Sequence, residues 1–467
     1  GGRESKPATS FNAEVTPQTG VSQSVHTTAL RATAEKGSKA VPYNLSNSTG
    51  AADVENTANC YVVNAPGTYS FPLVYGNAIN NGQVNYAAYT SKASIQGTLN
   101  PFINHLGNGI TDPYIAKNTD CVPVKAELVW QDAPSLVTDI KYNSGTNGGT
   151  ISFKVDKENI RQGNALIAIK DSQNTILWSW HIWITDENIY HTIKVTNHQN
   201  VSHDLMPIHL GWCEGEVINY AARSCQVQFI AHGQTRLITV NQMRSTTSTQ
   251  GNCTFYEWGR KDPLRPSSGY AYKNKTWYNA AGIASTANHA VESFPFGNEC
   301  IKNYIRKPDV MQKEIGGDNT YFNLWNADNN TNSNVYNDNP VTKTVYDPCP
   351  VGFAMPPSNT FTGFTTTGEN VTNTVAKYNG EWNSSLPGWN FYCGPNKTGG
   401  TIFFPMTGER ISSGGHLSAV GSLGHTWSAT STHSNYAHNL TLYTNYWVWP
   451  LDRFSKSAGH GVRPCLE

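Results

Sequence analysis

Charged side chains are scarce in this 467-residue chain. Asp, Glu, Lys and Arg make up 14% of it, against about 25% in an average soluble domain. Lys+Arg and Asp+Glu both number 33, so the formal net charge is zero. That balance gives no argument for binding a nucleic-acid backbone or an anionic membrane surface. No long apolar run occurs either, so no segment here spans a bilayer as a helix. The chain starts at Gly1-Gly2 without a secretory leader, a start that reads as trimmed. Catalytic signatures are equally missing. There is no Gly-x-Ser-x-Gly elbow, no His-Glu-x-x-His pair and no phosphate-binding glycine loop, and no local spacing nominates a carboxylate pair. The nine cysteines include no Cys-x-x-Cys, which argues against a zinc ribbon or a thioredoxin-type site. Scattered cysteines in a β-rich chain point instead to long-range disulfides and an oxidising compartment. Cys60 with Cys121 and Cys349 with Cys465 are candidate pairs, although spacing does not determine pairing.

Asn, Thr, Ser, Gly, Tyr and Trp fill the space that charge leaves, and over 59–186 the apolar residues recur with period two. Tyr69, Phe71, Leu73 and Tyr75 alternate, with Pro72 marking an edge. So do Val124, Ala126, Leu128 and Trp130, then Ile151, Phe153 and Val155, then Ile176, Trp178, Trp180, Ile182 and Ile184. Separated by turn chemistry, such strands predict an antiparallel β-sandwich over 46–190. Trp178 and Trp180 belong to its core, a stronger reading than sugar-binding aromatics, while His181 and Trp183 face the next domain. Residues 1–45 read as an N-terminal extension, either a flexible leader or a strand at Phe11, Ala13 and Val15 that needs a neighbour. Arg31 there suits trypsin-like processing. Residues 187–202 are polar and read as a joint. Beyond it, 225–229 and 237–240 flank His232-Gly233-Gln234 as a hairpin, and 298–306 forms a short helix with Ile301 and Ile305 on one face.

Residues 343–353, Lys-Thr-Val-Tyr-Asp-Pro-Cys-Pro-Val-Gly-Phe, begin as a short extended run. They then turn a rigid corner, because Pro348 and Pro350 fix φ and remove backbone donors. Around this corner stand Tyr256-Glu257-Trp258-Gly259-Arg260-Lys261-Asp262-Pro263, Asn323-Leu324-Trp325-Asn326, Phe404-Pro405-Met406-Thr407-Gly408-Glu409-Arg410, Trp427-Ser428-Ala429-Thr430 and Gly461-Val462-Arg463-Pro464-Cys465. In that order, with 206–211 as an opening, they resemble the C-type-lectin-like Fibrobacter major paralogous domain, which also ends Bacteroidales fimbrial tip proteins. The resemblance covers 204–467. It implies a mainly β chain with some α+β character: a fimbrillin-like or immunoglobulin-like sandwich followed by a C-type-lectin-like α+β domain.

The same resemblance implies a non-enzymatic protein that is secreted, displayed on an outer membrane or built into a fimbrium. Its partners would be other pilus subunits or surface proteins, with a glycan or matrix protein as ligand. In such pilins a donated strand completes a neighbour's sandwich, and a chain closing in a lectin-like domain has no C-terminal strand to donate, which suits a tip. Tyr443, Tyr446, Trp447 and Trp449, beside Pro450 and followed by Arg453, are read as a loop whose exposed rings anchor a ligand; the bland alternative packs them against their own domain. No metal or cofactor is expected. Asp328, Asn330, Asn332 and Asn334 have calcium-loop spacing, but lack the glycine and the final glutamate. Trp382-Asn383 runs into Ser384, and no Glu-Pro-Asn occurs, against calcium-dependent sugar binding. His416, His425, His433, His438 and His460 are spaced irregularly and read as surface histidines. The alternatives are an enzyme, carbohydrate-active or formylglycine-generating-like (Cys393 and Cys465 being too far apart in sequence for the latter), and a structural surface module without a ligand.

Overall fold

The computed structural model describes residues 20–22, 24–231, 233–313, 321–331, 335–432, 435–444 and 446–467. Strands dominate, and the described residues hold two α-helices, Val25–Ala32 and Asn298–Arg306. The fold is mainly β, as the period-two alternation predicts. The chain divides into two compact units. One takes the described part of Gly1–Val25 with Gly215–Thr249; the other takes His26–Glu214 with Gln250–Glu467.

Within the larger unit, a six-stranded sheet runs in the order Ala284–Ser285, Trp277–Tyr278, Lys125–Gln131, Gly163–Lys170, Ile176–Ile184, Cys60–Val63, the last pair parallel. A four-stranded sheet of Tyr43–Asn44, Gly67–Pro72, Thr150–Val155 and Thr138–Asn143 packs on it. Aromatic rings fill the space between: Phe71 lies 5.0 Å from Trp180 and 5.1 Å from Tyr61, centroid to centroid. Trp178 and Trp180 are fully buried, as alternation requires of an inward face. His181 and Trp183 are fully buried too, because the C-terminal half covers them. Trp183 Nε1 donates to Trp212 O at 3.0 Å, and Tyr256 Oη lies 3.3 Å from His181 Nδ1. One continuous core therefore runs from Tyr69 and Trp180 through Trp325 and Cys349 to Val462.

The corner at 343–350 is wholly buried. Its opening residues form no strand, since their polar groups are claimed singly from elsewhere. Asn59 Nδ2 donates to Val345 O (2.7 Å) and Asp347 O (2.8 Å), and Val345 N donates to Ala88 O. The Asp347 carboxylate accepts from Cys349 N and Met355 N. This is the Asx-type local bonding that holds a turn without a ladder. Helix Asn298–Arg306 buries Cys300, Ile301, Tyr304 and Ile305, the i, i+1, i+4, i+5 stripe of one helical face.

The C-terminal half closes on its own start. Leu205 pairs with Cys465, Met206 N donates to Pro464 O, and Leu210 N donates to Val462 O. A five-stranded sheet of Val371–Thr372, Trp447–Ser455, Tyr436–Tyr443, Leu423–Ser431 and Gly461–Val462 forms its centre, beside a three-stranded sheet of Gly380–Asn383, Gly388–Gly394 and Thr398–Pro405. In the smaller unit, Arg223–Ala231 and Gln234–Gln242 form the anticipated hairpin. Val21–Ser22, Val217–Tyr220 and Ser245–Ser248 form a second sheet there.

Two sequence expectations need correction. Residues 25–44 are no flexible leader: Leu30 is fully buried in helix Val25–Ala32, and Tyr43–Asn44 pairs with the sandwich strand Gly67–Pro72, Tyr43 packing its ring against Tyr69 at 6.0 Å. Arg31 sits in that helix and donates to Glu158 O; Phe11, Ala13 and Val15 lie outside the described residues. The disulfides expected between Cys60 and Cys121 and between Cys349 and Cys465 are not formed: Cys60, Cys121, Cys349 and Cys465 are each free. Cys121 faces Tyr75 Oη and Asn104, whereas Cys60 neighbours Lys343 and Cys349. Cys349 and Cys465 belong to different hydrophobic clusters.

Candidate functional site

The antiparallel hairpin of Tyr436–Tyr443 and Trp447–Ser455 sets Tyr443 opposite Trp447 and Thr441 opposite Trp449. Alternation sends Val448 and Pro450 inward, where both are buried, and leaves Trp447 and Trp449 half-exposed on the other face. The Trp447 and Trp449 rings stack at 4.6 Å and 6°. Tyr443 lies against Trp447 at 4.9 Å, and Tyr446, in the turn, is 52% exposed. Trp449 Nε1 donates to Thr372 Oγ1 at 3.0 Å on the edge strand. Tyr446 O accepts from Tyr378 Oη and from Asn373 N. The rings were expected on a loop; they stand on a strand pair instead. Of the five residues nominated, four form this face. Arg453 lies further along the same strand, opposite His438, with its guanidinium 5.8 Å from the Tyr436 ring.

Stacked rings held by a sheet and by an indole hydrogen bond present apolar area and one another's edges at fixed positions. Little side-chain freedom is left to lose on binding. Such a face can adsorb the apolar side of a sugar or a flat stretch of polypeptide.

A cleft of about 310 Å³ is lined by Tyr43, Cys60, Tyr69, Asp186, Glu187 and Tyr190. Asp186 accepts from His26 Nδ1 (3.0 Å) and Gln162 Nε2 (2.9 Å), a hydrogen-bonded joint. Burial pushes the Cys60 and Cys349 thiols far above their ordinary range, which removes the thiolate a nucleophile needs. In the Asn-rich segment, Asp328 accepts from Lys92 N and Thr342 Oγ1, and Asn330 from Ser94 N, so their oxygens bind the chain itself. Asn332 and Asn334 lie outside the described residues. Asn383 Oδ1 caps Ser385 N and Leu386 N.

The histidines depart from expectation. His416 is exposed, but His425, His438 and His460 are buried at 2%, 2% and 0% exposure; His433 lies outside the described residues. His425 and His438 lie on strands of the five-stranded sheet, and His460, just before its strand Gly461–Val462, stacks its ring on that of His425 at 4.1 Å, a contact no sequence spacing announces. Comparison with known protein families, curated proteins and solved structures finds no match.

Proposed function

We propose that the protein is a non-enzymatic surface adhesin whose Tyr443, Tyr446, Trp447 and Trp449 face binds a glycan or a partner protein. The observation that carries this reading is the ordered, half-exposed stack of Trp447 on Trp449. The same strand buries Val448 fully, so the two indoles stand on its outward face although an inward face was open to them. Exposed Trp and Tyr are the residues that anchor interfaces, because each covers much area with few rotors. The ordered motifs over 204–467 support the same reading through their resemblance to the lectin-like domain of fimbrial tip proteins. On that reading the protein acts at a fimbrium or the outer-membrane surface, beside other pilus subunits.

The test is a screen of glycan and matrix-protein arrays with wild type and with Trp447→Ala/Trp449→Ala, each with and without a chelator. Binding by wild type that the double variant loses supports the proposal. Equal signals from the two proteins end it.

A further inference from the structure

The smaller unit holds an apolar face in the open. Arg223–Ala231 and Gln234–Gln242 pair with Cys225 opposite Val240 and Val227 opposite Ile238. Directly opposed residues share a face, so Cys225, Val227, Phe229, Ile238 and Val240 stand together on one side of this ribbon. Val227, Phe229, Ile238 and Val240 are 39–52% exposed, and Cys225 is exposed as well. The other side is mostly polar, with Ser224, Gln226, Gln228 and Thr239. Among the described residues this sheet has two strands. A ribbon of two strands is marginal by itself, and a contiguous apolar face on it marks a docking surface.

The strand register supplies the occupant. Val21 pairs with Asn219 and Ser22 with Ile218, antiparallel, on the side of Val217–Tyr220 away from Ser245–Ser248. Tyr220 stands opposite Ser245, and Arg223 stands opposite Gln242, three residues further along each strand. One register therefore runs through both ladders without a bulge, and the edge that holds Val21–Ser22 continues along Arg223–Ala231. Counting back from Val21 opposite Asn219 sets Val15 opposite Cys225, Ala13 opposite Val227 and Phe11 opposite Phe229. These are the alternating apolar residues of 11–15, and they fall on the apolar side. Asn12, Glu14 and Thr16 fall on the polar side with Gln226 and Gln228. A register one residue off would reverse every one of them.

Residues 11–16 lie outside the described residues. We propose that they dock as a third strand along Arg223–Ala231, in the register set by Val21 and Asn219. The added strand gives that edge its backbone partners and sets Phe11 beside Phe229 and Val15 beside Cys225. Three strands with an apolar face are what independent stability requires of a small sheet. Pro17 suits the place, because the added strand is itself an edge, where a missing donor costs no ladder bond. The docking holds whether or not the Trp447 face binds a ligand.

Disulfide trapping in the full chain tests it. Opposed residues on antiparallel strands have Cα atoms about 4.5–5.5 Å apart, within the range a disulfide spans. Val15→Cys under mild oxidation is expected to bond to native Cys225 within one chain, located by peptide mapping, while Glu14→Cys forms no such bond. Phe11→Asp/Val15→Asp is expected to speed amide hydrogen exchange over 224–230 at least tenfold. A Val15→Cys protein bonded between two chains, or no more bonded than Glu14→Cys, overturns the proposal, as does amide exchange that the double variant leaves unchanged.

Discussion

Trp447 and Trp449 stack with planes 6° apart, one residue between them, while the Val448 side chain between them is fully buried. The pair is thus a product of strand geometry, in which i and i+2 share a face. Its removal should leave the sheet intact. Trp449→Ala is expected to cost roughly 0.5–1.5 kcal/mol for the lost ring contact, beyond the area it covers. Urea unfolding measures this, and global unfolding of the variant would show the rings to be core.

The buried Lys261 ammonium is more critical. It donates to Ser179 O, Ser179 Oγ and both oxygens of Asp262, at 2.6–2.9 Å, with the Trp178 ring 4.5 Å away. Lys261→Met strands the Asp262 carboxylate and is expected to cost about 3–5 kcal/mol, whereas replacing both partners by apolar residues costs much less. Chemical denaturation of the single and double variants decides it. A single variant as stable as wild type contradicts the account.

His181 sets a pH dependence. Its Nε2 donates to Asn164 Oδ1 at 2.9 Å and its Nδ1 faces the Tyr256 hydroxyl, so the native ring is neutral. Burial lowers its pKa from 6.5 to about 3; burial, then Arg306, lowers that of His105 to about 4. Both groups have depressed folded values. The unfolded chain therefore takes up protons that the folded chain refuses as pH falls below 6.5, and stability drops through that window. Urea midpoints should fall between pH 6.5 and 4, and the His181 ring resonance should stay constant over the same range. A His181 ring titrating near 6.5 contradicts this.

Much of the fold was legible because its signals are local. Alternation at 176–184 marked a buried strand, Ile301 and Ile305 marked the helix, and the residues around Gly233 marked the hairpin. The aromatic strand was missed because Pro450 reads as a breaker. Here it sits with its side chain inward, and the next amide, Leu451 N, bonds to Asn370 Oδ1 instead of the neighbouring strand. The contact of His425 with His460 is invisible in the sequence because pairing between Leu423–Ser431 and Gly461–Val462 joins residues with 34 intervening positions (426–459). The motifs that carry the family resemblance are core residues and carbonyl clamps. Trp258, Trp325 and Trp427 are fully buried, and Arg463 donates to Met206 O, Pro207 O and Phe403 O. They speak to architecture.

Cysteine reactivity follows burial. Cys225 is exposed, Cys393 is intermediate, and the other seven are buried, with Cys253 and Cys465 pushed up to about 12 mainly by desolvation. Native alkylation followed by peptide mapping should modify Cys225 first and Cys393 more slowly, the rest reacting only after unfolding. Rapid native labelling of Cys349, or its recovery bridged to Cys465, contradicts this structure.

On the proposed function, the Trp447 and Trp449 face is a binding surface. Surface plasmon resonance against the strongest array ligand tests it most directly, with Trp447→Ala and Trp449→Ala beside Tyr272→Ala as a control at another exposed aromatic, 65% accessible. The account predicts that each tryptophan variant weakens binding by at least tenfold, about 1.4 kcal/mol, while Tyr272→Ala binds like wild type. Equal affinities for all four proteins would contradict it.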